Sequence, residues 1–293
     1  MRFGMVELAP GEGGLVGVVL GASGEAVHPL PGGARVEEYV PLGLEALLEV
    51  GRQALLGPGI PISDVVLRRP FTPASVRDFV TFEEHVVGVR RSVDGAEGVP
   101  EAWYAAPTFY FTNPHAIVGD GEPVARPDLC RALDFELEVG AVLWRGGSSL
   151  SEAQAREAII GYTIFNDWSA RDIQAAEMKV GLGPAKGKDL GSSLGPWLVT
   201  ADEVEAHRDA DGFLTLECSV AVNGVEVGRD TLDHMGWTFE TMVAYASRDS
   251  LVAPLDVLAS GTTGGGGCLA ELWGRRGAQD PPCLLYTSPS PRD

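Results

Sequence analysis

The spacing of apolar residues changes character along the chain. In the first part, Leu42, Leu44, Leu47, Leu48 and Leu55 recur at mostly helical intervals, and Gly57 stands where a C-terminal cap belongs. Short apolar runs broken by glycine-rich turns surround this helix, so residues 1–67 read as a small N-terminal domain. The proline-rich stretch from Pro58 to Pro73 reads as its connector. Beyond Phe71 the period is mainly two. In LDFELEV, residues 133–139, Leu133, Phe135, Leu137 and Val139 fall on one face and Asp134, Glu136 and Glu138 on the other, which predicts a strand. Ser151 with Gln154 forms a capping box for a helix ending near Gly161, and YTIFND follows as a strand. LTLECSVAV alternates at 214–222, and Asn223-Gly224 ahead of VEV predicts a hairpin. Residues 237–246 suit a short helix, and Gly264 to Gly267 a flexible loop. The pattern is α+β and β-rich, with 68–280 as the main domain. The segment 281–293, PPCLLYTSPSPRD, has no period and reads as a disordered or non-native tail.

Charge narrows the function. Forty-one acidic residues against 22 Lys and Arg give a net charge of -19, which repels nucleic acid and anionic membranes. An anionic substrate would then need local cations or a metal at its site. No apolar run reaches the ~18 residues of a membrane span, and MRFGMVELAP has no basic region before an apolar core, so a cytoplasmic protein is expected. Cys130, Cys218, Cys268 and Cys283 lack zinc-site spacing and read as small core residues.

Glu136 and Glu138 point to one face of their strand, which is either a solvated face or half of a site for a hard divalent ion. Asp167 ends an apolar strand in NDWSARDIQ, where Ser169 or Asp172 are open to a plain capping role. Asp78, in Arg77-Asp78-Phe79, is by itself unremarkable.

Together these segments resemble the fumarylacetoacetate hydrolase family. NDWSARDIQ, LDFELEV, the DF at 78–79 followed by EEH at 83–85, SGTTGGGG and LAELW occur in the family's order, and the similarity runs from about Asp78 to Trp273. The resemblance implies a β-roll of mixed sheets and a homodimer. It implies that Asp78, Glu136, Glu138 and Asp167 hold a divalent metal, magnesium or alternatively manganese or calcium. It makes His85 the base that activates water and Glu271 its orienting acid, with Glu84 a weaker alternative. Arg171, Gln174, Lys188 and Thr262 become the residues around a small anionic keto acid, with Lys186 as a substitute for Lys188. The implied reaction is hydrolysis of a carbon–carbon bond in a 1,3-diketo acid of the acylpyruvate or fumarylacetoacetate type. The alternatives are isomerisation or decarboxylation of 2-keto or 2-hydroxydienoic acids in aromatic catabolism, or a non-catalytic metal-binding protein. Val80 and Met178 stand where the best-known animal members carry tyrosines around the substrate.

Overall fold

The computed structural model describes residues 1–8, 14–277, 279 and 282–284. Its centre is a mixed sheet of 13 strands. Ten lie in one path: Ile60–Pro61, Ala26–Pro29, Leu15–Leu20, Arg2–Glu7, Leu198–Thr200, Ile159–Asp167, Leu137–Leu143, Asp256–Ala259, Ser75–Phe79 and Phe109–Thr112. Residues 1–67 thus extend the same sheet, through Arg2↔Val199 and Phe3↔Leu198. Pro58 to Pro73, read as a connector, contributes two short strands of its own, Ile60–Pro61 and Val66–Arg68.

Most predicted elements appear, with changes at their ends; LDFELEV is split, Leu133–Asp134 pairing with Ser169–Ala170 and Leu137 opening the next strand. Leu44–Leu55 is a helix that buries Leu47, Leu48, Val50 and Ala54. The Ser151–Gln154 capping box is present, but its helix stops at Ala158, because Ile159 and Ile160 open the next strand. β-branched residues favour that pleated, packed surface. Asn223-Gly224 turns the hairpin Glu217–Val222/Val225–Thr231 with φ of 51° and 78°. Residues 239–247 form the later helix.

The run 83–89 is a helix. Gly264 to Gly267 is a packed turn and not a flexible loop: a Cβ on Gly265 would collide with the Arg229 carbonyl, so glycine is needed for close approach. Of the 281–293 segment only 282–284 are described, and there Cys283 is buried, its thiol donating to the Arg131 carbonyl at 3.3 Å. The remainder of that segment lies outside the described residues. All four cysteines are free and buried, as expected of core residues.

The two faces of the sheet carry different cores. Leu137, Val139, Ala141, Leu143 and Leu258 pack on one side with the helix Phe239–Ser247. Val76, Val142, Ile160, Phe165, Val257 and Ala259 pack on the other with Phe3, Leu47 and Phe71. Leu137–Leu143 is therefore buried on both faces. Its alternation separates two interiors, and the acidic face is not solvated. No described helix is long and apolar enough to cross a membrane.

Candidate active site

On the second face each of three strands runs from apolar to acidic at the same end. Val76 is followed two residues on by Asp78, Phe165 by Asp167, and Val142 is preceded through Gly140 by Glu138. Pairing brings those ends together. Leu137 sits opposite Asn166 in an antiparallel pair, and Ala259 beside Asp78 in a parallel one. Glu136 lies just ahead of its strand, where its carbonyl accepts the Asp167 N–H at 3.2 Å.

Carboxylate oxygens of Asp78, Glu136 and Asp167 lie within 4.8 Å of one another, and all three residues are buried. Glu138 is equally buried beside them, but its carboxylate is outside that tightest group. It accepts the Gly261 N–H at 3.1 Å and lies 3.5 Å from the Thr262 hydroxyl. Gly261 has φ of +80° and presses on the Phe79 carbonyl, a place where only glycine fits.

Two cations enter the cluster. Lys188 Nζ donates to Glu136 at 2.5 Å and to Ser169 Oγ at 2.7 Å, and pairs with Asp167 at 2.7 Å. Lys186 does not substitute for it: its side chain is 75% exposed and pairs with Asp189. Arg171 Nη2 is 2.7 Å from Glu136, an ion pair out of line for a hydrogen bond, while Nη1 donates to Gln174 at 3.1 Å. Arg171 Nε donates to Asp134 at 2.8 Å. Asp134 is fully buried and also accepts the N–H groups of Phe135, Leu269 and Ala270. It thereby ties Arg171 to the start of the helix Leu269–Arg276, which carries Glu271.

The charges do not balance. Burial above all, then Asp167, pushes the Asp78 carboxyl well above the ordinary range. Burial, then Asp78, does the same to Glu138. Burial is also the largest influence on Glu136 and works in the same direction, but Lys188 and Arg171 outweigh it and hold Glu136 below the ordinary range. For Lys188 burial disfavours the charge, yet Asp167 and Glu136 raise its pKa.

His85 lies in the helix Glu83–Val89, its Nδ1 3.8 Å from Glu271 Oε2 and 3.7 Å from Cys268 Sγ. Glu271 is fully buried. Its Oε1 accepts from Gly266 N–H at 3.1 Å and pairs with Arg275, whereas Oε2, the oxygen toward His85, has no hydrogen-bond partner among the described residues. Glu84 turns away, to Arg275 and the Gly265 N–H. A cavity of about 360 Å³ joins these groups, lined among others by Asp78, His85, Glu136, Arg171, Gln174, Lys188 and Thr262. Glu138, Asp167 and Glu271 stand behind that wall. The capping roles open to Ser169 and Asp172 are not taken: the helix Arg171–Glu177 has no side-chain cap, Ser169 donates to the Asp167 carbonyl, and Asp172 accepts the Arg131 N–H.

Sequence reasoning missed Tyr110 and Asp134. The Tyr110 hydroxyl contacts Asp78 at 3.0 Å and also Asp167. Its only signal is the cross-strand register Asp78↔Tyr110, which no local pattern reveals. Asp134 did carry a signal, since it shares the i, i+2, i+4 face with Glu136 and Glu138.

The fumarylacetoacetate hydrolase C-terminal family model matches residues 74–287. Among curated proteins the chain is similar to the fumarylacetoacetase of Dictyostelium discoideum, 28% identical over 247 residues, covering 70% of this chain and 58% of the relative. The Bos taurus fumarylacetoacetase is 29% identical over 251 residues, covering 69% and 60%. The chain thus spans about three-fifths of the length of these relatives. Among solved structures, the fumarylacetoacetate hydrolase of Exiguobacterium antarcticum superposes with a TM-score of 0.70 at 24% identity, over 92% of this chain and 88% of that one. A 5-carboxymethyl-2-hydroxymuconate delta-isomerase from Mycobacterium smegmatis gives 0.64 at 26%, covering 90% and 88%. The maleylpyruvate hydrolase of Sphingobium sp. SYK-6, solved with manganese(II) and pyruvate, gives 0.67 at 21%, covering 90% and 89%. The fold is theirs, the family model covers most of the chain, and this chain belongs to the fumarylacetoacetate hydrolase family.

Proposed function

We propose that this chain is a divalent-metal-dependent hydrolase that cleaves a carbon–carbon bond in a small 1,3-diketo acid of the acylpyruvate or fumarylacetoacetate type. One observation carries the reading: a cavity joins His85, backed by Glu271, to a carboxylate cluster held, among the described residues, by the cations Lys188 and Arg171.

The donor set fits a metal. Four buried carboxylates face Lys188 and Arg171, and Arg171 is shared with Asp134, so the cluster is short of positive charge. The pKa values of Asp78 and Glu138 are raised by burial first and then by the neighbouring carboxylates. All-oxygen donors suit magnesium, manganese or calcium better than zinc. Asp78, Glu136 and Asp167 would hold the ion, with Glu138 alongside. When bound, the cation supplies polarisation of a substrate carbonyl.

The chain's own residues do the rest. With His85 Nδ1 turned to Glu271, Nε2 is the nitrogen left to take a proton from water as its oxygen adds to the distal keto carbon. The bond between that carbon and the adjacent methylene then breaks. Its electron pair goes to the departing 2-keto acid enolate, and the proton on His85 returns to the methylene carbon. One water is consumed, and a carboxylic acid and a 2-keto acid are released. Arg171, Gln174 and Lys188 stabilise the charge that develops, and Thr262 contacts the substrate carboxylate. A homodimer, the usual assembly in the family, belongs to the same proposal.

The test is turnover of an acylpyruvate panel by protein stripped with chelator and then reloaded with magnesium or manganese. Activity should vanish and return. Undiminished turnover after exhaustive chelation overturns the reading. One distance favours a second reading, isomerisation or decarboxylation of 2-keto or 2-hydroxydienoic acids: 3.8 Å between His85 and Glu271 is too long for a hydrogen bond. Inert acylpyruvates, with isomerisation that survives His85→Ala, would establish that alternative.

A further inference from the structure

We infer that the acyl end of the substrate is uncharged and apolar, so that the site takes monoanionic acylpyruvates in preference to dicarboxylates of the fumarylacetoacetate kind. The inference rests on the hydrolase reading only for its choice of head group.

The lining combines Asp78, Glu136, His85, Arg171, Gln174 and Lys188 with the apolar side chains of Val80, Val89, Met178 and Pro184. Local structure puts these walls next to the chemistry. Val80 lies two residues beyond Asp78, Val89 one helical turn beyond His85, and Met178 four residues after Gln174, where the helix Arg171–Glu177 gives way to a 3-10 turn. The remaining polar lining residues, Thr108, Tyr110 and Thr262, carry no positive charge.

A second carboxylate would find no uncommitted cation among the described lining residues. The lysine and arginine that line the cavity are Lys188 and Arg171, and both are already engaged by carboxylates. Arg90 and Arg91, beyond Val89, bond to the carbonyls of Glu97 and Gly98 and to the Glu97 carboxylate. Lys186 lines the neighbouring groove with Asn113 and Asp189, and is paired with Asp189. A distal carboxylate would be stripped of water against hydrocarbon, whereas an alkyl or aryl group gains by the same burial. The net charge of -19 adds a repulsion that a dianion feels twice as strongly as a monoanion.

The experiment uses substrates matched in length, 2,4-dioxononanoate and 2,4-dioxononanedioate, with metal-loaded protein. The monoacid should have kcat/KM higher by at least about ten-fold. Binding is read separately by calorimetry with 2-oxooctanoate and 2-oxooctanedioate, which lack the 1,3-diketone and are not cleaved. Met178→Arg, at a position 41% exposed and outside the packed cores, should narrow the preference by roughly ten-fold in both measurements. No turnover of either diketo acid, with tighter binding of the mono-oxo acid, would sink the hydrolase reading and leave this inference standing. Equal or better turnover and binding of the dicarboxylates overturns the inference, as does failure of both 2-oxo acids to bind.

Discussion

Arg77 and Asp78 are neighbours on one strand, yet their side chains enter different interiors. Arg77 faces the core that holds Leu258 and the helix Phe239–Ser247. There it meets one carboxylate, Asp256, at 2.9 Å, and donates to Ser75 at 3.1 Å and the Leu251 carbonyl at 2.8 Å. Phe111 lies against its guanidinium, at 5.1 Å from ring centroid to Cζ. Asp256 is likewise served by Ser75 and by the Ala253 N–H. One positive charge meets one negative charge with hydrogen bonds around both. Asp78, one residue on, meets Glu136, Glu138 and Asp167, with Lys188 and Arg171 as the nearby cations. Both sets are buried. What differs is the charge sum. A balanced buried pair braces the scaffold, while an unbalanced buried cluster implies a further positive partner, which marks a site.

The largest expected effect separates function from stability on the unbalanced side. His85→Ala should lower turnover by roughly 10²–10⁴-fold. Metal binding by calorimetry and the melting temperature should stay close to those of the parent; a variant that keeps its activity removes His85 as the base.

On the balanced side the effect should be on stability. Asp256→Ala leaves the Arg77 guanidinium buried without its counter-charge and should cost about 3–5 kcal/mol in denaturant unfolding. The double variant Arg77→Met/Asp256→Leu should recover most of that loss, because an apolar pair no longer needs solvating. If the single variant is harmless, the pair does not brace the sheet.

Asp134→Asn tests the link between Arg171 and the helix bearing Glu271. It keeps an acceptor but removes a charge that receives four donors, so a stability loss of about 1–3 kcal/mol is expected. A fall in kcat larger than the rise in KM would identify it as a positioning residue. An unchanged kcat would leave it a purely structural one.

The smallest effect is a matter of sign. Asp78 and Glu138 have folded pKa values above their unfolded ones, so between those limits the native state holds protons that the unfolded chain releases. Their contribution is therefore fully present below the ordinary carboxylate range near 4 and is lost as pH rises through the raised values. Glu136, with a lowered pKa, contributes in the opposite sense, its stabilisation present above the ordinary range and lost on acidification. Metal-free Asp78→Asn protein should accordingly melt a few degrees above metal-free parent at pH 8, on the order of 1 kcal/mol, and lose the stabilisation that added manganese gives the parent. A lower melting temperature would show that Asp78 is not under charge strain.

Local rules in the sequence determined much. The capping box at Ser151 and the Asn223-Gly224 turn are statements about adjacent residues, and both appear in the structure, whereas the alternation in LDFELEV survives as a continuous strand only from Leu137 on. The family resemblance carried by the motifs from Asp78 to Glu271 was what named the candidate site residues. Tertiary structure alone decided which interior each face meets. The alternation left the face of the glutamates at 136 and 138 either solvated or part of a metal site; it is buried, because a second core covers it. Tyr110 joined the carboxylates through cross-strand register, and Lys188 rather than Lys186 entered the cluster because the segment 184–189 folds one lysine inward and pairs the other with Asp189. Periodicity fixes on which side of a strand a residue lies. It carries no information about what is packed there, since the partners arrive from positions dozens to hundreds of residues away.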